Sequence, residues 1–336
     1  MKISVVILNW NGVAMLRKFL PSVISCTPDA EIVVADNAST DDSISMLEQE
    51  FPSVRRILLD KNYGFAGGYN EALRQVEAEY YLLLNSDVEV TDGWLEPMLA
   101  YMDNHPDVCA CQPKLRFYSN REMLEYAGAC GGYMDRLGYP YCRGRIFETV
   151  EKDCGQYNTV QSVDWATGAA LLIRSQSFWE VGGFDARFFA HQEEIDLCCR
   201  LRSRGYGIVC VPDSVVYHVG GGTLPKDNPR KTYLNFRNNQ FLLYKNLPNG
   251  CYYAVFVCRF FLDALASLTF LLKGEGRSFL AVWKARMDFH RMKSAFSADR
   301  KMIRSSAHVN GSPFSKCIIL WQYYVRHHRF FSQLPK

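Results

Sequence analysis

Metal-ribbon and dithiol spacing is missing from this chain. Its twelve cysteines include no Cys-x-x-Cys pair, which excludes a zinc knuckle or a thioredoxin-like redox centre. Most lie in apolar context, as in Val108-Cys109-Ala110-Cys111, the setting of small buried thiols in a reducing compartment. No secretory leader is expected either. Residues 3–8 form too short an apolar run for one, and Asn9-Trp10-Asn11-Gly12 closes that run with turn chemistry. A cytoplasmic protein is expected. There is no internal repeat and no low-complexity stretch, which sets aside solenoids and tethers. The net charge of +3 is too small to mark a polyanion binder by itself.

What is present is an ordinary folding composition: 336 residues, 48% hydrophobic and 22% charged, enough for one large α/β domain with an appendage. Charge is unevenly placed. From Lys273 to Lys336 there are thirteen Lys or Arg against three Asp or Glu, while the preceding residues carry a net of −7. A basic tail of this kind meets an anionic surface. Residues 251–272 form the single apolar run long enough to span a bilayer, but Arg259 and Asp263 lie at its centre, which makes spanning costly. An amphipathic helix at the membrane interface is expected, with a helix hairpin packed in a soluble core as the alternative. No nucleic-acid-binding motif accompanies the basic residues, so nucleic acid is not expected as a partner.

Strand-like and helical stretches alternate through the first hundred residues. Strands are expected over 3–8, 31–35, 56–58 and 80–84, and helices over Val13–Ser25, 42–49 and 69–77. This alternation predicts a mostly parallel sheet flanked by helices. Ligands of such sheets gather beyond the carboxyl ends of the strands, which directs attention to Asn9, Asp36 and Asn85-Ser86-Asp87. Residues 112–161 read as glycine- and tyrosine-rich loop. A further strand is expected within 163–173, a helix over 193–204, and two strands over 208–211 and 215–218. The domain is expected to cover 1–245, in two halves (1–115 and 116–245), followed by a basic helical region (246–336).

Several of these positions carry chemistry. Asp36 offers a carboxylate at a strand end, able to accept the imide N–H of uracil or thymine. In Asn62-Tyr63-Gly64-Phe65-Ala66-Gly67-Gly68 the glycines precede a helix whose N-terminus would favour an anion; the spacing is neither a dinucleotide fingerprint nor a P-loop. Asp87 is a hard ligand suited to Mg²⁺ or Mn²⁺. Glu193, Glu194 and Asp196 open a helix after the aromatic pair Phe188-Phe189, and a carboxylate there would deprotonate a hydroxyl. His218, followed by Gly220, Gly221 and Gly222, would ligate the metal or touch a phosphate beside a mobile loop. Arg237 would place a cation near a diphosphate.

Taken in order, these segments resemble the family 2 glycosyltransferases, inverting enzymes of the GT-A fold, and in particular their rhamnosyltransferase-like branch. The resemblance runs from Ile3 to about Asn239 and rests on the ordered set: Asn-Trp-Asn-Gly, Asp-Asn-Ala-Ser-Thr-Asp, Asn-Tyr-Gly-Phe-Ala-Gly-Gly-Tyr-Asn, Leu-Leu-Asn-Ser-Asp-Val, and Gly-Gly-Phe-Asp before the acidic helix. It implies sugar transfer from a UDP- or dTDP-sugar to a saccharide or lipid-linked saccharide acceptor, at the inner face of the plasma membrane. It implies that Asn9, Asp36, Asn62, Gly64, Gly67, Asn85 and Trp165 bind the nucleotide sugar. Asp87 and His218 would hold the metal, and Asn85 stands where the family's Asp-x-Asp motif has its first acid. The family's base is an Asp after a Glu; here the pair reads Glu193-Glu194, which makes Glu194 the candidate. Trp165, Phe188 and Phe189 would stack on sugar rings. A nucleotidyltransferase is set aside because Asn9-Trp10-Asn11-Gly12 lacks the basic glycine loop of that chemistry. The alternative of another class is a non-catalytic nucleotide-sugar-binding or membrane-docking protein on the same fold.

Overall fold

The computed structural model describes residues 1–220, 228–305 and 314–335. The β-branched and leucine-rich runs become strands. They are β1 (Ile3–Asn9), β2 (Glu31–Asp36), β3 (Arg55–Leu58), β4 (Tyr80–Asn85), β5 (Val88–Val90) and β6 (Val108–Phe117). The central strands β1, β4 and β6 are buried on both faces, whereas the edge strand β3 is buried only at Ile57. Between them run α1 (Val13–Ser25), α2 (Ser43–Glu50), α3 (Gly64–Leu73) and α4 (Glu96–Asn104). The segment expected as loop folds into β7 (Gly132–Met134), β8 (Pro140–Cys142), β9 (Arg145–Ile146) and β10 (Thr149–Val150), a small antiparallel sheet. Its strands are too short to show periodicity, which is why the sequence reads as loop there. After β11 (Gln161–Ser162) come β12 (Ala170–Arg174), α5 (Ser175–Glu180), α6 (Glu193–Ser203) and β13 (Gly207–His218).

The central sheet has the order β11-β13-β6-β12-β4-β1-β2-β3, with β5 paired to β13. Strands β4, β1, β2 and β3 are mutually parallel, while β12 runs antiparallel between β4 and β6. The two strands expected over 208–211 and 215–218 are one strand. A register shift against β6 between Val211 and Val215 bends it without ending it. Because β6 lies between β13 and β12, the expected halves share one sheet. Two apolar layers enclose that sheet, one around Leu83, Leu171 and Phe178, the other around Leu82, Leu172 and Trp94.

Helices α7 (Pro229–Asn246), α8 (Asn249–Leu272), α9 (Gly276–Met292) and α10 (Ser297–Ser305) complete the chain up to 305. Phe241 of α7 stacks on Phe296 with ring centroids 4.2 Å apart and meets Phe289 of α9 at 5.5 Å. The helical region is therefore packed into the domain's own core.

Candidate active site

The loops after β1 and β2 form one hydrogen-bonded unit. Asn9 Nδ2 donates to Asp36 Oδ1 at 2.9 Å and to Ser39 Oγ at 3.1 Å, and Ser39 N donates to Asp36 Oδ2 at 2.8 Å. Asn11, with φ of 52°, accepts from Thr40 N at 2.7 Å, and Asp41 accepts the Val13 N–H at 3.0 Å. The two motifs, distant in sequence, are halves of one scaffold. Asp36 is only 1% exposed, so holding that scaffold is its first task. Each carboxylate oxygen still keeps a lone pair. Trp10 stands beside it, 46% exposed. Sequence reasoning passes over this residue, although an aromatic directly after a buried strand is a readable signal.

The glycine-rich segment differs from expectation. Helix α3 begins at Gly64 and contains the glycines instead of following them. Its first N–H groups are taken internally. Gly64 N donates to Asn62 Oδ1 at 2.8 Å, while Phe65 N and Ala66 N both donate to the Phe189 carbonyl, at 2.7 and 3.2 Å. An anion site made from this helix end is thereby corrected, since its donors are already spent on the 186–189 turn. Gly64 itself has φ of 73°, and a Cβ there would lie 2.6 Å from that same carbonyl. Its absence of side chain permits the docking.

At the end of β4, Asp87 meets His218 from the end of β13, Oδ1 to Nε2 at 3.2 Å. On the other side of the ring, Nδ1 lies 3.3 Å from Glu125 Oε1. Burial would push the imidazole down, but Glu125 and Asp87 together raise it to about 10. Burial pushes the Asp87 carboxyl up, and His218 outweighs it, leaving Asp87 below its ordinary range. Among the described residues no group of three or more His, Cys, Asp or Glu side chains is arranged to hold a metal alone. With its proton displaced, the imidazole nitrogen would join the Asp87 oxygen as a donor pair for a divalent ion whose other ligands come from phosphate and water. Glu125, unmarked in the sequence, sits where it would fix the imidazole tautomer.

The acidic helix opens from a strained approach: Phe189, His191 and Gln192 all have φ near +70°. Glu193 is 4% exposed, and Oε2 of both glutamates is buried without a partner. Burial raises Glu194 to about 7 against the opposing pull of first-turn N–H groups, and burial plus the Glu194 charge lifts Glu193 well above the carboxylate range. The third acid has a different job. Asp196 accepts from Lys245 Nζ at 2.8 Å and Arg200 Nε at 2.9 Å, and Lys245 also reaches Asp185 at 2.7 Å. The segments that carry the two carboxylate sites adjoin just before β12. Asn85 N donates to the Ala169 carbonyl at 3.0 Å, and a Cβ on the adjoining Gly168 would lie 3.9 Å from the Glu194 Cβ.

Residues 4–158 match the family model described as glycosyl transferase family 2. That match spans just under half of the chain. Similar to it is the N-acetylglucosaminyl-diphospho-decaprenol L-rhamnosyltransferase of Mycobacterium tuberculosis, 27% identical over 234 residues covering 64% of this chain and 75% of the relative. The rhamnosyltransferase WbbL of Escherichia coli is 28% identical over 164 residues, covering 45% of this chain and 58% of the relative. In structure, GalNAc-T7 crystallised with UDP, GalNAc and Mn²⁺ superposes with a TM-score of 0.57 at 19% identity. That match covers 73% of this chain and 48% of the other, so this chain spans about half the neighbour's length. Residues 1–349 of S. aureus TarS with UDP-GlcNAc give 0.54 at 17% identity, covering 91% of each chain. The fold is GT-A, and the chain is a glycosyltransferase.

In this glycosyltransferase three expected contacts lie elsewhere. Trp165 is buried: its indole rests on Gly132, where a Cβ would come within 1.9 Å of the ring, and its Nε1 donates to the Tyr133 carbonyl at 3.1 Å. Phe188 is fully buried against Phe241 and Phe296. Neither ring presents a face to a sugar. Arg237 donates to the carbonyls of Arg187 and Phe188 at 3.2 and 3.0 Å, so it braces the turn before α6 instead of facing a diphosphate. Phe189 remains partly exposed. Gly221, Gly222 and Thr223 lie outside the described residues.

Proposed function

We propose that the chain transfers one sugar, with inversion, from a UDP- or dTDP-linked donor to a hydroxyl of a saccharide or lipid-linked saccharide acceptor in cell-surface polysaccharide assembly. The observation that supports this reading is that the segments carrying Asp87 and Glu194 adjoin: Asn85 N donates to the Ala169 carbonyl, and a Cβ on the neighbouring Gly168 would lie 3.9 Å from the Glu194 Cβ. The named activity of the mycobacterial and E. coli relatives supports a rhamnosyl donor and, for the former, a lipid diphosphate acceptor. The nucleotide and Mn²⁺ of the GalNAc-T7 structure support the donor class and a divalent cofactor. The chain is placed in the cytoplasm, touching the inner face of the plasma membrane through its C-terminal region.

In this mechanism Asn9 and Asp36 frame the base pocket, the spare lone pair of Asp36 accepts the imide N–H, and Trp10 lies against the ring face. Asp87 and His218 would hold Mg²⁺ or Mn²⁺, which when bound neutralises charge on the departing diphosphate. Glu125, 3.3 Å from Nδ1, would orient the His218 imidazole. On the opposite side Glu194, kept close to neutrality by burial, takes the proton of the acceptor hydroxyl as it attacks. Burial and the charge of Glu194 together raise the neighbouring Glu193. Attack from the face opposite the diphosphate inverts the anomeric centre.

Glu194→Gln tests the assignment. Transfer should fall by roughly 10²- to 10⁴-fold, while donor binding, followed by thermal shift with and without Mn²⁺, stays within about twofold of wild type. Undiminished turnover would reject Glu194 as the base. A wild-type protein that binds donors but releases no nucleoside diphosphate with any acceptor would favour the binding-protein alternative.

A further inference from the structure

Helix α8 is built inside out. Its protein-facing positions are Tyr252, Val255, Arg259, Asp263 and Ser267, three of the five polar. Its outward positions are apolar: Phe261 is 67% exposed, Leu265 60% and Leu272 80%, with Tyr253, Val257 and Leu268 also exposed. A helix of a protein surrounded by water shows the opposite arrangement. The apolar surface continues across the groove to Trp283 and Met287 of α9.

The inner face is firmly held. Arg259 pairs with Asp263 at 3.2 Å and donates to the Leu137 carbonyl at 3.2 Å, and Arg286 of α9 reaches Asp263 at 2.6 Å. The helix is long and apolar enough to cross a bilayer, but one side of it is bound to α9 and the β7–β8 turn. Lipid cannot surround it. The exposed charge of residues 273–305 has one sign. Lys273, Arg277, Lys284, Arg291, Lys293, Lys301 and Arg304 are exposed, whereas Glu275, Asp288 and Asp299 of the same segment are only partly so. Asp288 accepts from the Tyr233 hydroxyl, and Asp299 pairs with Arg187.

We infer that the outward face of α8 with the edge of α9 is a docking surface for an anionic phospholipid bilayer, the helix lying in the interface plane. This names the surface and the lipid chemistry of the membrane contact proposed above, and stands apart from sugar transfer because vesicle binding needs neither donor nor acceptor. A second copy of the chain is the poorer occupant: pairing two such faces about a two-fold axis would bring two cationic rims together. Anionic headgroups match both the apolar stripe and its rim.

The full-length protein is sedimented with phosphatidylcholine vesicles, with and without phosphatidylglycerol. Binding should require phosphatidylglycerol and weaken with salt. The double substitution Phe261→Asp with Leu265→Asp should lower partitioning at least about tenfold, and Lys273→Glu with Arg277→Glu about tenfold or more. All four side chains are exposed, so melting temperatures should not change. Protein left in the supernatant, or binding untouched by both double variants, would overturn the inference. A dimer dispersed by Phe261→Asp without any vesicle binding would reassign the face to self-association.

Discussion

Glu194 is where burial becomes chemistry. With its carboxyl raised from 4.5 to about 7 by burial, kcat/KM should climb roughly tenfold per pH unit below that value and level above it. A donor-saturated initial-rate series across pH 5–9 would show the limb. The same shift has a stability consequence of opposite direction. Between the unfolded and folded pKa values the native state binds more protons, so stability falls as pH rises through that window. Glu194→Gln should remove that slope from urea titrations at successive pH values. Glu125→Gln should weaken Mn²⁺ affinity about 10- to 100-fold, read by titrating Mn²⁺ in the presence of nucleoside diphosphate. Trp10→Ala should weaken donor binding on the order of tenfold if its ring lies on the base, measured calorimetrically. Asp36, Asp87 and the glutamate pair are legible in the sequence because a charged group closing a buried run is a local signal. Trp165 and Phe188 are not, because their exposure is set by Gly132 and Phe241, remote in the chain.

At the scale of elements, the approach to α6 is held by a largely buried ion cluster drawn from four segments. Lys245 of α7 bridges Asp185 and Asp196, while Arg187 spans from Asp185 to Asp299 of α10. Burial would raise both bridged carboxyls, but their cations hold them below the ordinary range. Lys245→Met leaves two buried carboxylates short of a partner and should destabilise the fold by about 3–5 kcal/mol, seen as a lowered urea midpoint. Most helix and strand positions of the first hundred residues were readable from periodicity, and Val13–Ser25 coincides with α1. The start of α3 was not. Its glycines look like a loop until the Phe189 carbonyl arrives to cap them, and that carbonyl comes from beyond β12.

For the whole molecule, the helical tail is structural before it is anything else. Phe289 and Phe296 complete the core around Phe241, and Arg300 donates to Asn249 at 2.7 Å. A chain ended at Gly250 would expose Phe241, Leu242 and Tyr244, so it should aggregate or melt far below the full-length protein in a thermal scan instead of behaving as an isolated cleft. Separating tail from cleft therefore calls for surface substitutions, not truncation. Arg259 and Asp263, which in sequence argue only against a spanning helix, turn out to fasten α8 to the domain.

The order of strands and helices in the first hundred residues, and the carboxylates at strand ends, were determined by the sequence alone, because alternation, turn chemistry and charge placement act within a few residues. Tertiary structure decided which of those groups share an edge, which aromatics are sealed away, and which side of α8 meets the outside. These depend on contacts between segments far apart in the chain, where burial and hydrogen-bond supply are set by the partner and not by the local pattern.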